Sequence, residues 1–452
     1  MPHTLDDDLD DVDTLLAETQ RYAARVLADL PDRPAVAVAD DPEPAGLPDT
    51  GAGARAALTT FAERWAPGFS GGAGPRYFGF VTGGVTPAAL AGDWLTGVFD
   101  QNAVAAVGSS AAALERETVA WIGDLLGLDG FTGSFVTGAT MSNFVGLAIG
   151  RDWFGEQHGV SVAEEGMPRP ARVLSGAAHA SISKALAMLG MGRSALVSLP
   201  TLPGREAVDV AALERELAQG PAIVVANAGT VNTVDFDDLR VIADLKERYD
   251  FWLHVDAAFG GFAAASTSFS ALLDGWAEAD SVCVDLHKWL NVPYDAAVQF
   301  TRHRDLQLKV FANASAYLGG VGEVPDFMHL TPENSRRLRA LAAWFTLAAY
   351  GREGCREIVE RNVACARELE ARLDASPRWR LLAPVRLNVV CFTLADDPTP
   401  ERVDEVVAAL AASGEGFVSK TVYDGVPALR AAFSNWRTTP ADVDRVASAL
   451  GA

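Results

Sequence analysis

The sequence predicts an α/β protein: a mainly parallel sheet with helices on both faces, followed by a smaller α+β C-terminal domain. Two observations carry this expectation. From about residue 131 to residue 284, short apolar runs of strand length alternate with stretches of helical periodicity, the order that builds βαβ units and a parallel sheet. Beyond residue 335 the order changes to two long helical stretches, a strand-like run and further helices. The chain has 452 residues, 49% of them hydrophobic, enough for a large core and for more than one structural unit.

Taken in order, residues 9–30 carry apolar side chains at helical spacing, and 31–54 are rich in Pro, Asp, Gly and Ala, the composition of a connection. The strand-like runs are 133–137, 172–174, 195–198, 222–226, 251–255 and 281–284. Helical patterns at 181–189, 211–217 and 239–248 fall between them. Residues 335–350 and 354–374 read as long helices, 388–394 as a strand, 401–412 as a helix, and a last helix starts at Pro440. The expected organisation is a helical arm over 1–70, a large domain over 71–345 and a small one over 346–452.

Composition excludes several classes. A formal net charge of -22 and a pI near 4.7 make nucleic acid and anionic membranes poor partners, because approach begins with repulsion. The four cysteines, Cys283, Cys355, Cys365 and Cys391, form no zinc spacing and suit a reducing cytoplasm. No metal site is expected. The start of the chain lacks the basic and apolar regions of a signal peptide. The longest uncharged stretch, 130–150, holds 11 Gly, Ser, Thr or Asn among its 21 residues, which argues against a membrane span.

Four features fall in one order along the presumed sheet, each weak alone. Thr137-Gly138-Ala139-Thr140-Met141-Ser142-Asn143 follows a strand and opens a helix, where free N–H groups and a positive dipole end suit a phosphate; an ordinary turn would read the same. His179 starts the helix after 172–174 and could stack on a flat ring, or merely cap. Asp256, in His254-Val255-Asp256-Ala257-Ala258, closes a strand at the edge where open α/β sheets bind ligands; a carboxylate there can pair with a protonated pyridine nitrogen, or cap a turn. Lys288, in Asp285-Leu286-His287-Lys288-Trp289, follows the next strand, a poor place for a routine solvated lysine and a plausible one for a Schiff-base amine.

With these residues in view, the sequence resembles the group II pyridoxal 5'-phosphate (PLP)-dependent amino acid decarboxylases, the family of aromatic-L-amino-acid and glutamate decarboxylases. The motifs that carry the resemblance are HVDAAFGG (His254 to Gly261) and DLHKWLNVPYD (Asp285 to Asp295). YFGFVTGGVTP (from Tyr77), LERETVAWI (from Leu114) and SNWRTT (from Ser434) support it. The similarity runs from about Arg76 to Val446.

The resemblance implies the type I PLP-dependent transferase (aspartate aminotransferase-like) fold and a homodimer with active sites at the subunit interface. It implies Lys288 as the lysine bonded to PLP, Asp256 on the pyridine nitrogen, His179 stacked on the ring, Ala258 on the opposite face and Thr230 near the phenolic oxygen. Ala139, Thr140 and His287 fall at phosphate positions. Ala139 and Met141 depart from the family's Gly-Ser/Thr pattern, and Asp285 stands where aromatic-type members have Asn. Tyr317, in a small-residue, glycine-rich stretch from Asn313 to Gly322, matches the catalytic-loop tyrosine that returns a proton to Cα. Phe80, Val81 and Thr82 align with substrate-lining positions, as do Gln101 and Ala103, which imply a wider and partly polar pocket.

The implied reaction is decarboxylation of an L-amino acid to the amine and CO2, a carboxy-lyase activity. The alternatives are an aminotransferase, for which Arg430 or Arg437 would anchor a carboxylate, an aldehyde synthase, and an inactive scaffold.

Overall fold

The structure, a computed structural model, describes residues 5–37, 41–103, 108–313 and 321–452. Twelve strands form two sheets among the described residues. They are β1 (Tyr77–Phe78), β2 (Thr132–Val136), β3 (Val173–Ser175), β4 (Leu196–Ser198), β5 (Ala222–Asn227), β6 (Phe251–Asp256), β7 (Ser281–Asp285) and β8 (Ala297–Thr301), then β9 (Trp379–Leu381), β10 (Val389–Leu394), β11 (Phe417–Tyr423) and β12 (Val426–Ala432).

The larger sheet has the order β2-β8-β7-β6-β5-β3-β4. Only β8 runs against its neighbours; the other pairings are parallel. β5 explains the layering. Its side chains alternate between faces, so Ile223 and Val225 join one core with Val145, Ile149, Ile182 and Leu186. Val224 and Ala226 join the other, with Ile122, Leu213, Ile242 and Leu347. A strand buried on both sides reads as a continuous apolar run, which is what 222–226 is. Helices Ala139–Glu156 and Ala180–Met188 therefore cover one face, and Ala111–Leu126, Val210–Leu217, Leu239–Asp244 and Ala340–Ala375 the other.

The smaller sheet, β1-β11-β12-β10-β9, packs its own core of Phe392, Leu429, Val443 and Val446. Its outer strand β1 comes from far earlier in the chain and pairs in parallel with β11, Tyr77 opposite Phe417.

Local chemistry sets the helix ends. Thr86 caps Pro87–Phe99 by accepting the Ala89 N–H, with Pro at the first position, and Thr439 and Asp442 form a capping box at Pro440–Leu450. The two helices expected at 335–350 and 354–374 form one element, Ala340–Ala375, interrupted at Gly351, whose φ of 58° only glycine adopts freely. No described helix is long and apolar enough to cross a membrane.

Candidate active site

β5, β6 and β7 end on Asn227, Asp256 and Asp285; parallel pairing sets Asn227 directly opposite Asp256, and Asp285 lies two residues beyond Cys283, the partner of Asp256. Ahead of this edge lies a cavity of about 290 Å³ whose walls include Phe80, Val81, Ala139, His179, Asn227 and Thr230, together with Asp256, Ala258, Lys288 and Arg430. Its position at the carboxyl ends of parallel strands is the general one for ligand sites in open α/β sheets.

Lys288 lies on the one-turn helix Leu286–Trp289 that follows β7. Its Nζ is 3.3 Å from Asp285 Oδ2 and 5.6 Å from the centre of the Phe259 ring. Asp285 Oδ1 is 3.2 Å from His287 Nε2, so one buried carboxylate faces both cationic-type side chains of the motif. The stretch from Thr82 to Gly84 runs against the lysine: a Cβ on Gly83 would sit 1.8 Å from the Lys288 carbonyl oxygen, so only glycine allows this approach.

Asp256 is buried. Its Oδ1 accepts the Ala258 N–H at 3.2 Å and its Oδ2 accepts from Asn143 Nδ2 at 2.9 Å. His179 is the N-cap of Ala180–Met188, its Nδ1 accepting the Ser181 N–H. Burial pushes its imidazole below the ordinary histidine range, against the pull of Asp256. Arg430, on β12, is almost fully enclosed and brought down to about 10 by burial, and its Nε has no hydrogen-bond partner among the described residues.

The cavity thus gathers Lys288, Asp256, His179, Ala258, Thr230, Ala139, Phe80 and Val81. Thr230 comes with a reservation: its hydroxyl donates to Glu206 Oε2 at 2.5 Å and accepts the Asp235 N–H, so its proton is already committed. Thr140 and His287 border the site without lining the cavity. Thr140 is in the first turn of Ala139–Glu156, and the His287 ring lies where a Cβ on Gly138 would touch it, at 3.4 Å. Thr82 lines a neighbouring groove, which shares Phe80 with the cavity and also holds Tyr77 and Tyr294.

Gln101 and Ala103 are not brought to the cavity. The Gln101 amide is occupied by the Phe99 carbonyl and Ser109, and Ala103 is fully enclosed, its N–H on the Arg336 carbonyl. Tyr317 lies outside the described residues. Of the two arginines, Arg430 lines the cavity and Arg437 instead stacks on Trp436 at 4.5 Å. Asn143 and Asn227 were given no role from the sequence. The pairing of β5 with β6 would have signalled Asn227; nothing local signals Asn143.

These residues fit PLP. The helix Ala139–Glu156 has no side-chain cap at Gly138, which leaves its first N–H groups free for an anion. Lys288 and Asp256 share the same cavity walls, and Ala258 leaves room for a flat ring. A lysine and a strand-end acid on the carboxyl edge of a seven-stranded, mainly parallel sheet define the class of type I PLP-dependent enzymes.

Comparison with known proteins narrows the class. The profile of the family described as "Pyridoxal-dependent decarboxylase conserved domain" matches residues 43–395. An aromatic-L-amino-acid decarboxylase from Bacillus atrophaeus is 28% identical over 384 residues, covering 81% of this chain and 78% of its own length. An L-2,4-diaminobutyrate decarboxylase from Acinetobacter baumannii is 28% identical, covering 70% and 67%. The crystal structure of Oryza sativa TDC with PLP and tryptamine superposes with a TM-score of 0.90 at 22% identity, over 98% of both chains. The chain belongs to the pyridoxal-dependent decarboxylase family: it is a carboxy-lyase, and its cofactor is PLP.

Proposed function

We propose that this protein decarboxylates an L-amino acid to the corresponding amine. The observation that carries the reading is the convergence of Lys288, Asp256 and His179 on one cavity beside the free N-terminus of Ala139–Glu156. Bound there, PLP supplies an electron sink for the pair left at Cα when CO2 departs. Lys288 Nζ anchors the cofactor. The Asp256 carboxylate holds a proton on the ring nitrogen, which keeps the sink effective. His179 and Ala258, both on the cavity wall, would hold the ring between them, and the first N–H groups of Ala139–Glu156, with His287 near, would hold the phosphate. Phe259, buried on the cavity wall, keeps water from the side of Lys288. Tyr317 is proposed to return the proton to Cα.

Relatives of differing substrate leave the amino acid open, and the cavity adds one constraint. Among the described residues that line it, Arg430 is the one basic side chain besides Lys288 and His179. Held on the leaving carboxylate, it would stabilise the ground state and slow the reaction, so it is better used on another anionic group. Arg430→Gln should therefore change KM more than kcat.

A homodimer completes the proposal. The arm helix Val12–Asp29 buries no residue in its own chain, and Leu9, Leu16, Trp94, Val98 and Phe99 are exposed, apolar surface that a second copy would cover. A cytoplasmic location suits the four buried, free cysteines. The test is a panel of L-amino acids assayed for CO2 and amine, with keto acid and peroxide measured in parallel. Amine equal to CO2 supports the reading; keto acid alone would favour the aminotransferase, and peroxide with aldehyde the aldehyde synthase.

A further inference from the structure

Asp256 is held from outside its own strand. Asn143, fully buried in the second turn of Ala139–Glu156, uses its whole amide. Nδ2 donates to Asp256 Oδ2 at 2.9 Å and to Ser181 Oγ at 3.1 Å, and Oδ1 lies 2.9 Å from His254 Nε2. The carboxylate fixes the amide's orientation, since the reverse would set oxygen against oxygen.

The polarity of the rest follows. Oδ1 only accepts, so His254 carries its hydrogen on Nε2. Burial holds His254 down to about 4, so the ring is neutral and Nδ1 accepts from Ser281 Oγ, 2.8 Å away. Ser281 in turn takes the Trp252 Nε1–H at 3.1 Å. On the other branch, Ser181 Oγ accepts from Asn143 and passes its own hydrogen to His179 Nδ1 at 2.7 Å, where the Ser181 N–H also points. His179 Nδ1 is thus an acceptor, and the neutral ring keeps its hydrogen on Nε2.

We propose that Asn143 and His254 are positioning residues for the reaction: one chain of donors, from Trp252 through Ser281, His254 and Asn143, ends on Asp256 and through Ser181 on His179. A single amide thereby holds the acid proposed for the ring nitrogen and, by orienting the Ser181 hydroxyl, reinforces the tautomer that the Ser181 N–H gives the imidazole proposed to cover the ring. The inference rests on those two readings.

An independent observation supports it. Gly146 and Gly150 lie one turn apart in the interior of Ala139–Glu156, where glycine is unfavourable. A Cβ on Gly146 would come within 2.7 Å of His254 Cε1 and Nδ1, and one on Gly150 within 2.8 Å of Trp252 Cδ1. The helix forgoes side chains at both places where the rings of the chain of donors must fit.

The test uses the PLP-loaded dimer. Asn143→Ala should retain PLP and its melting temperature within a few degrees, while kcat falls by about 30-fold or more and KM changes by less than about threefold, the size expected when buried donors and acceptors lose their partner. The visible absorbance of the bound cofactor should change, and nitrogen NMR of histidine-labelled protein should show His179 and His254 as Nε2–H tautomers in the parent; in the variant His254, whose Nε2–H faces Asn143 Oδ1, should lose that preference, while His179 keeps it through the Ser181 N–H. Gly146→Ala, which displaces His254 without touching Asp256, should lower kcat by about tenfold.

Parent-like kcat with unchanged tautomers in Asn143→Ala would overturn the proposal. Should that variant not fold, parent-like kcat in Gly146→Ala would overturn it. Asp256→Ala is run alongside: if it too turns over normally, the reading of Asp256 fails, whereas its collapse beside a normal Asn143→Ala defeats only the inference.

Discussion

Lys288 and Asp285, 3.3 Å apart, are the pair on which the residue-scale predictions turn. Borohydride reduction of the PLP-loaded protein should fix the cofactor on Lys288, and mass spectrometry of the peptides should find the label there. Lys288→Ala should lower turnover at least about a thousandfold; recovery of the label on another lysine would remove Lys288 from its role. A second prediction concerns acid. Burial holds His254 near 4 while an unfolded histidine titrates near ~6.5. The unfolded chain therefore takes up a proton that the folded one refuses, and stability falls as pH drops from ~6.5 to ~4, by up to about 3 kcal/mol. Asp237, fully buried and pushed up to about 6 by burial, works in the opposite sense: its folded carboxyl protonates first, so stability rises as pH falls from about 6 toward ~4. Asp237→Asn removes the opposing contribution, and melting temperature should then fall more steeply between pH 6 and pH 4 than in the parent.

At the scale of elements, most of the sheet was legible. Runs such as 222–226 and 251–255 are apolar throughout because both faces of β5 and β6 are covered, and the motifs of Asp256 and Lys288 sit at strand ends as expected. The strands β8, β9, β11 and β12 were not separated from their surroundings. β11 alternates buried and exposed residues irregularly, and β8 follows the β7 region so closely that its reversal has no local mark. Arg430 was visible only as one of two possible anchors, because its place in the cavity depends on the antiparallel pairing of β12 with β10 and β11. Helix Ala340–Ala375 starts later than 335 because Arg336 is used elsewhere. Its guanidinium forms a buried two-pronged ion pair with Glu115, whose Oε1 also accepts the Phe135 N–H, and its backbone pairs with Asn102 and Ala103. Arg336→Met should leave Glu115 as a lone buried charge and cost about 3–5 kcal/mol, read as a loss of melting temperature. Adding Glu115→Leu should restore much of it; no recovery would mean that the arginine acts through packing alone.

For the whole molecule, the prediction is assembly. If the exposed apolar residues of the arm and of Pro87–Phe99 meet a second copy, sedimentation should give a dimer, and a chain lacking residues 1–30 should dissociate at concentrations where the parent does not. Activity should fall with the dimer fraction on dilution. A fully active monomer would end the interface reading. The acidic surface, with net charge -22, should make the dimer more stable in moderate salt, since screening removes repulsion between like-charged copies.

The outer strand β1 has a consequence for how the protein is made. Its partner β11 lies about 340 residues later, and the Arg76 side chain bonds the Glu415 carbonyl across the same separation. At ribosomal speeds of roughly 5–20 residues per second, the earlier strand waits unpaired for roughly half a minute. During that interval Tyr77 and Phe78 offer a bare edge to any passing strand. The seven-stranded sheet can close without them; the second sheet, and the wall that Phe80 lends to the cavity, form only once the last tenth of the chain has emerged. Chains interrupted before Phe417 should therefore be protected from protease over the large sheet yet cut near residue 77, and they should be the species that a cell's chaperones hold.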